Sequence, residues 1–369
     1  MRILLLSSPG SVHTVKWANS LVERGAEVAI FGLSSYDPNL YNKKVKIKGI
    51  VISDILGHKG FGSISKLKYL KVLPGVKKFI REFKPDILHA HLISSYGLIG
   101  VLSGFHPLIL SVWGGDVFLF PRKSVIHKSL IKYLLYKADK ILSTSYYMAK
   151  ETQKYTTKFI EVTPFGVDLD IFHPFESQSL FDKKSLVIGT IKGLEVYYGI
   201  EYLLEAFKIV RDRNPFLSLK LLIVGGGSQE QKYKEMARTL KIDNDTLFTG
   251  YISYAEVPDY HNKINIFVAI SVFETFGVAV VEAQASGKPV VVSNTGGLPE
   301  VVNKDVTGFI VPPADPVKAA ESIEKLVLSE NLRKQMGNEG RNFVGINYDW
   351  NKNVDQIIKI YTNLLNERK

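Results

Sequence analysis

Cysteine is absent from the 369 residues of the chain. Its absence excludes disulfide bonds, a thiolate nucleophile and cysteine-ligated zinc, and it is compatible with a reducing cytoplasm. Neither of the two glycine-rich turns considered as ligand loops, SSPGSV and VGGGSQ, has the G-x-G-x-x-G spacing of a dinucleotide site. We therefore do not expect a nicotinamide cofactor.

The chain also lacks a convincing membrane-spanning run. No Lys, Arg, Asp or Glu occurs between His91 and Asp116, a stretch long enough to cross a bilayer. Serines, glycines and the pair His106-Pro107 interrupt it. We expect a helix followed by the buried strand LILSVW instead.

Positive charge is unevenly distributed. The chain carries a formal net charge of +11, yet residues 1–165 hold a net +14 and the remainder a net −3. Much of the excess lies in three segments, Lys43–Lys48, Lys66–Lys84 and Arg122–Lys137, and the last two alternate lysines with apolar residues at helical spacing. This pattern favours an anionic membrane surface as partner. Solvated helix faces are the alternative, and no nucleic-acid reader motif accompanies the charge.

Apolar strands alternate with helices in both halves, which predicts an α/β protein with two doubly wound parallel sheets. We expect an N-terminal domain over residues 1–165, a linker over 166–185 and a C-terminal domain over 186–348. Residues 349–369 are expected to form a helix that packs back on the first domain. Ligands of such Rossmann-like domains bind at the carboxyl ends of the strands, so we expect a cleft where the two domains face each other.

Two carboxylates bracket an apolar segment, SVFETFGVAVVEAQASGKPVVVSNTGG. Glu274 precedes a predicted buried helix and Glu282 lies inside it. The helix N-terminus, at Thr275, Phe276 and Gly277, is suited to a phosphate because the first amides of a helix have no carbonyl partner within the helix and the dipole is positive at this end. The carboxylates suit hydroxyl groups, so the segment fits a nucleotide sugar. The alternative is that Glu274 complements the helix dipole and that Glu282 pairs with a lysine such as Lys288.

The same segment carries a family resemblance. ETFGVAVVEAQASGKPV resembles the E-x-F-G-x-x-x-x-E-A-x-A-x-G-x-P-V motif of glycosyltransferase family 4, the group 1 retaining nucleotide-sugar glycosyltransferases of the GT-B fold. The similarity extends to NTGGLPEVV, TPFGVDLDIF, HAH at 89–91, ADKILSTS and GIEYLLEAF, and so covers nearly the whole chain.

The resemblance implies that the domain over 1–165 binds the acceptor and that the domain over 186–348 binds the nucleotide sugar. It also implies a role for each matching residue. Glu274 would contact hydroxyls of the transferred sugar, and Glu282 would bind the ribose. Other donor-binding positions are implied for Gly10, Gly250, Tyr251, Ile252, Thr275, Phe276, Gly277 and Val278. Gly10 would approach the distal phosphate, and Tyr251 and Ile252 would lie beside the base.

Two departures from the family pattern affect this assignment. In GTIKGLEVYYG, Lys192 replaces an arginine that meets the diphosphate, and Tyr198 stands where the family has a lysine. In SVWGGD, Trp113 holds the position of a histidine near the sugar. We expect Trp113, Asp116 and His13 on the acceptor side and count Asp116 with Glu274 and Lys192 as catalytic; a turn-capping role for Asp116 is the alternative.

The expected reaction is transfer of a hexose or N-acetylhexosamine, with retention, from a nucleotide diphosphate sugar, UDP favoured, to a membrane-linked glycan. By resemblance no metal or other cofactor is required, and surface polysaccharide or glycolipid (lipopolysaccharide) assembly is the expected setting. We expect a cytoplasmic protein on the inner face of the membrane, with no nucleic-acid partner. A sugar-nucleotide epimerase and a GDP-mannose-dependent mannosyltransferase are the alternatives.

Overall fold

The computed structural model describes residues 1–50 and 71–368. The chain divides into two compact units, of which the first contains Met1–Pro164 and Lys352–Lys369 and the second contains Phe165–Asn351. The predicted basic segment Lys66–Lys84 begins outside the described residues.

A seven-stranded parallel sheet forms the centre of the N-terminal unit, in the order β3-β2-β1-β4-β5-β6-β7. The central strands β1, β2, β4, β5 and β6 are rich in Ile, Leu and Val and largely buried, as expected for a sheet covered on both faces, whereas the edge strand β3 is mostly exposed. The strands are β1 (Arg2–Leu6), β2 (Glu27–Gly32), β3 (Lys46–Gly49), β4 (Ile87–His91), β5 (Leu108–Val112), β6 (Lys140–Ser143) and β7 (Ile160–Val162).

Helices connect these strands. They are α1 (Val12–Glu23), α2 (Leu73–Phe83), α3 (Leu98–Ser103), α4 (Gly115–Phe118), α5 (Val125–Lys137) and α6 (Tyr146–Thr152), with a π-helical turn at Leu92–Gly97. The basic helix predicted after Arg122 is confirmed as α5, whose N-terminus is capped because the Ser124 hydroxyl accepts from the His127 amide. The uncharged stretch forms a turn, α3 and strand β5, as predicted. Within the part of the chain that the structure describes, no helix is both long and apolar enough to span a membrane.

The C-terminal unit contains a second parallel sheet, with the order β10-β9-β8-β11-β12-β13. The strands are β8 (Leu186–Ile191), β9 (Leu219–Val224), β10 (Thr246–Phe248), β11 (Ile266–Ala269), β12 (Val290–Ser293) and β13 (Gly308–Val311). Two parallel Rossmann-like sheets confirm the predicted fold class.

Six further α-helices belong to this unit, and a seventh begins in it and continues into the N-terminal unit. They are α7 (Ile200–Arg213), α8 (Glu230–Thr239), α9 (Val257–Lys263), α10 (Val278–Ala285), α11 (Pro316–Leu328), α12 (Glu330–Asn347) and finally α13 (Trp350–Asn366). From Lys352 onward α13 is part of the N-terminal unit. There the Asn353 side chain donates to the Pro164 carbonyl at 2.9 Å, and the Tyr361 hydroxyl hydrogen-bonds with His89 of β4 at 2.6 Å.

Candidate active site

One edge of the C-terminal sheet gathers the donor-site residues predicted from the sequence. Lys192 follows β8, Gly225 follows β9, Gly250 lies just beyond β10, and Glu274 comes after β11. Because all these strands are parallel, their carboxyl ends lie at the same edge, where ligands of α/β sheets bind.

Gly277 sets the start of helix α10. Its φ of 109° lies in the left-handed region, and a Cβ there would lie 2.9 Å from Cδ2 of Leu298. The Gly277 carbonyl accepts the amides of Val280 and Val281, so α10 begins at Val278, as predicted. Glycine is needed here for both the backbone conformation and the space.

An ion pair joins the two charged residues of the site. The Lys192 ammonium binds Oε2 of Glu274, and their side chains are only 11% and 13% exposed. Oε1 of Glu274 accepts the Thr275 amide at 2.9 Å. Burial alone would raise the pKa of the Glu274 carboxyl, but Lys192 and the amides of Thr275 and Phe276 lower it below its usual value. Glu274 is therefore an ionised hydrogen-bond acceptor at neutral pH.

Glu282 does not form the ion pair with Lys288 that was the alternative to hydroxyl binding. Lys288 donates to the Asn262 carbonyl at 3.2 Å instead of forming an ion pair with Glu282, and burial lowers its pKa to about 8. Oε1 of Glu282 accepts from the Tyr254 hydroxyl at 3.4 Å, and Oε2 lies 3.6 Å from Nε2 of His261. Burial, only partly opposed by Glu282, lowers the pKa of His261. The Tyr254 hydroxyl therefore orients this carboxylate, and the His261 ring lies beside it without a hydrogen bond.

The residues predicted to lie beside a base follow β10. Gly225 and Gly250 pair in an isolated antiparallel bridge, which brings the two loops together. The ring of Tyr251 covers Gly226, where an added Cβ would lie 2.6 Å from the ring, yet Tyr251 is 82% exposed. Ile252 is partly buried next to it. An exposed aromatic face and backbone groups are thus available at this edge.

The sites predicted in the N-terminal unit lie at the carboxyl edge of its own sheet. Gly10 follows β1, and a Cβ there would lie 2.7 Å from the Ser35 carbonyl oxygen. The Trp113 and His13 rings meet edge to face at a centroid distance of 6.0 Å. Oδ2 of Asp116 accepts the amide of Ile93 at 2.6 Å, which fixes the turn after β4. His13, Trp113 and the β4 edge are thus brought together, and the Asp116 carboxylate contacts the turn after β4.

Sequence reasoning did not assign roles to two buried histidines. His91 stacks on Trp113 with ring centroids 3.8 Å apart and hydrogen-bonds with Ser7 at 2.9 Å. His89 bonds with Ser111 at 2.7 Å as well as with Tyr361. Burial lowers the pKa of His89 to about 3. Burial also holds the pKa of His91 well below its usual value, with smaller contributions from the neighbouring His89 and His13. The HAH triplet at the end of an apolar strand was a signal for these histidines in the sequence. It does not indicate which residues they contact.

Within residues 1–50 and 71–368, no group of three or more His, Asp or Glu side chains is arranged to hold a metal ion.

Comparison with known families decides the identity. Residues 173–343 match the family described as glycosyl transferases group 1, and residues 2–145 match the family described as glycosyl transferase 4-like. The chain belongs to the group 1 glycosyltransferases. It is therefore an enzyme, and the predicted family is confirmed.

Relatives of this glycosyltransferase include an uncharacterised glycosyltransferase of Methanocaldococcus jannaschii. The two are 26% identical over 92% of this chain and 90% of the relative. A GDP-mannose-dependent alpha-(1-6)-phosphatidylinositol monomannoside mannosyltransferase of Mycobacterium tuberculosis is 28% identical, over 52% of each chain.

Solved structures confirm the GT-B fold of the glycosyltransferase. A sucrose-phosphate synthase of Thermosynechococcus elongatus superposes with a TM-score of 0.83 at 19% identity, over the whole of both chains. The Anabaena protein HepE, solved in complex with UDP and glucose, gives a TM-score of 0.77 at 18% identity over 98% of this chain and 100% of HepE.

Proposed function

We propose that this enzyme transfers a hexose or N-acetylhexosamine from a nucleotide diphosphate sugar to a hydroxyl of a membrane-linked glycan, with retention of configuration. The observation that carries the proposal is the cluster of Lys192, Glu274 and the N-terminus of α10 at one sheet edge. It combines a cation, a helix N-terminus and an ionised acceptor of hydroxyl hydrogen bonds. A sugar diphosphate needs these three features.

The leaving group determines the electrostatic requirement. Negative charge develops on the diphosphate as the glycosidic bond breaks. Lys192 and the amides of Gly277 and Val278 would stabilise it, since the amides of Thr275 and Phe276 donate to Glu274. Glu274 would accept hydroxyls of the transferred sugar, and Glu282 those of the ribose. Because Lys192 and the helix supply the positive charge, we propose that no divalent metal is required and that transfer persists in a chelator.

The proposed step balances without a protein nucleophile. The bond from the sugar C1 to the distal phosphate oxygen breaks, and a bond from C1 to the acceptor oxygen forms on the same face. The acceptor proton passes to an oxygen of the departing diphosphate. The paired carboxylates of a glycosidase are not needed, because the departing diphosphate takes the proton and the acceptor oxygen attacks C1 directly.

UDP is the proposed nucleotide, supported by the complex of HepE with UDP, and GDP is the alternative, supported by the mannosyltransferase relative. Thermal-shift measurements with UDP-, GDP- and ADP-sugars test this. We expect stabilisation by one nucleotide class, a weaker shift in Glu282→Ala, and a wild-type shift in Glu339→Ala, which removes an exposed glutamate of α12. No shift with any nucleotide sugar would overturn the proposal.

A sugar-nucleotide epimerase would use the same donor site. It would convert the nucleotide sugar to an epimer in the absence of any acceptor, whereas a transferase leaves the sugar configuration of unreacted donor unchanged. Nuclear magnetic resonance of the donor after incubation with the enzyme distinguishes the two.

The membrane partner is supported by the exposed face of α5. Val125, Ile126, Tyr133 and Tyr136 project on one side of this helix and are exposed, flanked by Lys128, Lys132 and Lys137. The helix contains no acidic residue. Apolar side chains on the outside, bordered by lysines, suit an interface of anionic lipid headgroups. We propose that this face holds the enzyme peripherally on the inner side of the cell membrane, near its acceptor.

Sedimentation with lipid vesicles tests this attachment. We expect binding to vesicles of phosphatidylcholine mixed with phosphatidylglycerol, weaker binding to phosphatidylcholine alone, and loss of binding at high salt because exposed charges are screened. The double variant Ile126→Glu, Tyr136→Glu should remain in the supernatant. Phe216→Glu, which changes a 99% exposed aromatic residue of the C-terminal unit, should bind as the wild type does. Equal binding of both variants would contradict the proposed surface.

A further inference from the structure

Tyr198 stands where the family pattern has a lysine, and its ring faces the Lys192 ammonium. The Lys192 Nζ lies 4.6 Å from the centroid of the Tyr198 ring, within the range of a cation–π interaction. The ammonium thus has the Glu274 carboxylate as one neighbour and an aromatic face as another.

The loop that carries Tyr198 is held rigidly against the segment leading to Glu274. The Tyr197 carbonyl accepts the amides of Val272 and Phe273 at 3.0 and 3.2 Å. Gly199 has a φ of 68°, and a Cβ there would lie 2.1 Å from the Ile270 carbonyl oxygen. Since any side chain at Gly199 would push the loop away, the backbone of Tyr198 is held in place on either side.

The Lys192 backbone is fixed as well. Its amide donates to the Val224 carbonyl at 2.9 Å, and a Cβ on Gly225 would lie 2.0 Å from its carbonyl oxygen. The remaining freedom of Lys192 is therefore in its side chain. An aromatic face attracts an ammonium without accepting its hydrogen bonds in the way that a carboxylate does, so it leaves N–H donors for an anion.

We propose that Tyr198 is a positioning residue that holds the Lys192 ammonium at the diphosphate site and so compensates for the missing second cation. The inference rests on the donor site proposed above. A lysine at position 198 would add charge, whereas Tyr198 directs the charge of Lys192. Burial, with a smaller contribution from Glu274, raises the pKa of Tyr198, so the phenol adds no negative charge beside the diphosphate.

Titration calorimetry with the nucleoside diphosphate that stabilises the wild type tests the inference. A partly desolvated cation–π contact corresponds to a factor of roughly 3 to 30 in affinity. We expect Tyr198→Leu to weaken binding by at least about 5-fold. Tyr198→Phe keeps the ring and should bind with an affinity within about 2-fold of the wild type. Tyr198→Met provides a second ring-free variant, and circular dichroism checks that each variant is folded.

A double-mutant cycle separates positioning from a general structural effect. If Tyr198 acts through Lys192, Tyr198→Leu should cause no further loss of affinity in a Lys192→Met background. Wild-type affinity in both ring-free variants, or the same fold-loss with and without Lys192, would overturn the inference while the donor site stands. Absence of any nucleotide binding by the wild type would instead overturn the donor site, and this inference with it.

Discussion

At the residue scale, the Lys192–Glu274 pair connects stability to function. Both side chains are almost buried, so solvent screens their attraction little. A buried carboxylate that loses its cation is costly, which makes the pair sensitive to substitution of either partner.

We therefore expect Lys192→Met to destabilise the protein by about 3 kcal/mol at neutral pH, because Glu274 remains buried without its cation. In the wild type the pKa of Glu274 lies below its usual value, so the pair stabilises the fold above the unfolded-state pKa and its contribution is lost as pH falls through the folded-state pKa. In the variant burial raises this pKa, so Glu274 protonates more readily and the penalty should shrink as the pH is lowered from 7 towards 5.

Urea unfolding at several pH values measures this difference. Lys318→Met is the control, since it removes an ion pair with Glu321 in which both partners are exposed, and it should change stability little at any pH. A penalty for Lys192→Met that does not vary with pH would show that the charge of Glu274 is not its source.

At the scale of elements, the start of α10 decides the shape of the diphosphate site. Gly277 gives the chain a conformation that other residues adopt with strain, and the Leu298 side chain leaves little room for a Cβ. The helix N-terminus thus depends on a single glycine.

Gly277→Ala should destabilise the protein by about 2 kcal/mol and weaken nucleotide binding, because strain and a steric contact act together. Gly104→Ala is the matched control: Gly104 also has a positive φ, of 74°, but nothing lies within 4 Å of its added Cβ. Chemical unfolding of both variants separates the two causes. An equal loss of stability in both would show that contact with Leu298 contributes nothing.

The elements themselves were largely predictable, whereas side-chain partners were not. The apolar run after Gly277 predicts α10, and lysines at helical spacing predict α5, because both patterns are local. The pairing of Lys192 with Glu274 joins residues 82 positions apart, and only the order of the sheet brings them together. The neighbourhood of His261 and Glu282 likewise depends on how α9 packs on α10. Neither contact has a signal in the local sequence.

At the scale of the whole molecule, the charge asymmetry and the two sheets agree with different proposed roles for the two units. The residues proposed to bind the donor belong to the C-terminal unit, apart from Gly10, and the exposed basic face belongs to the N-terminal unit. The contact of Tyr361 with His89 joins residues 272 positions apart, so it could not be predicted from any local pattern. The motif similarity predicted the family. The hydrogen bonds, ion pairs and ring contacts of the motif residues were known only from the structure.

The most direct test of the donor-site assignment compares the affinity for a nucleotide sugar with the affinity for its nucleoside diphosphate. The two carboxylates are assigned to different parts of the donor. Glu274→Ala should weaken binding of the nucleotide sugar by about 10-fold or more, since hydrogen bonds to a charged group contribute about 1.5–3 kcal/mol. It should not weaken binding of the nucleoside diphosphate. Glu282→Ala, in contrast, should weaken binding of both ligands. Equal losses for the two ligands in Glu274→Ala, or unchanged binding of both in Glu282→Ala, would contradict the assignment.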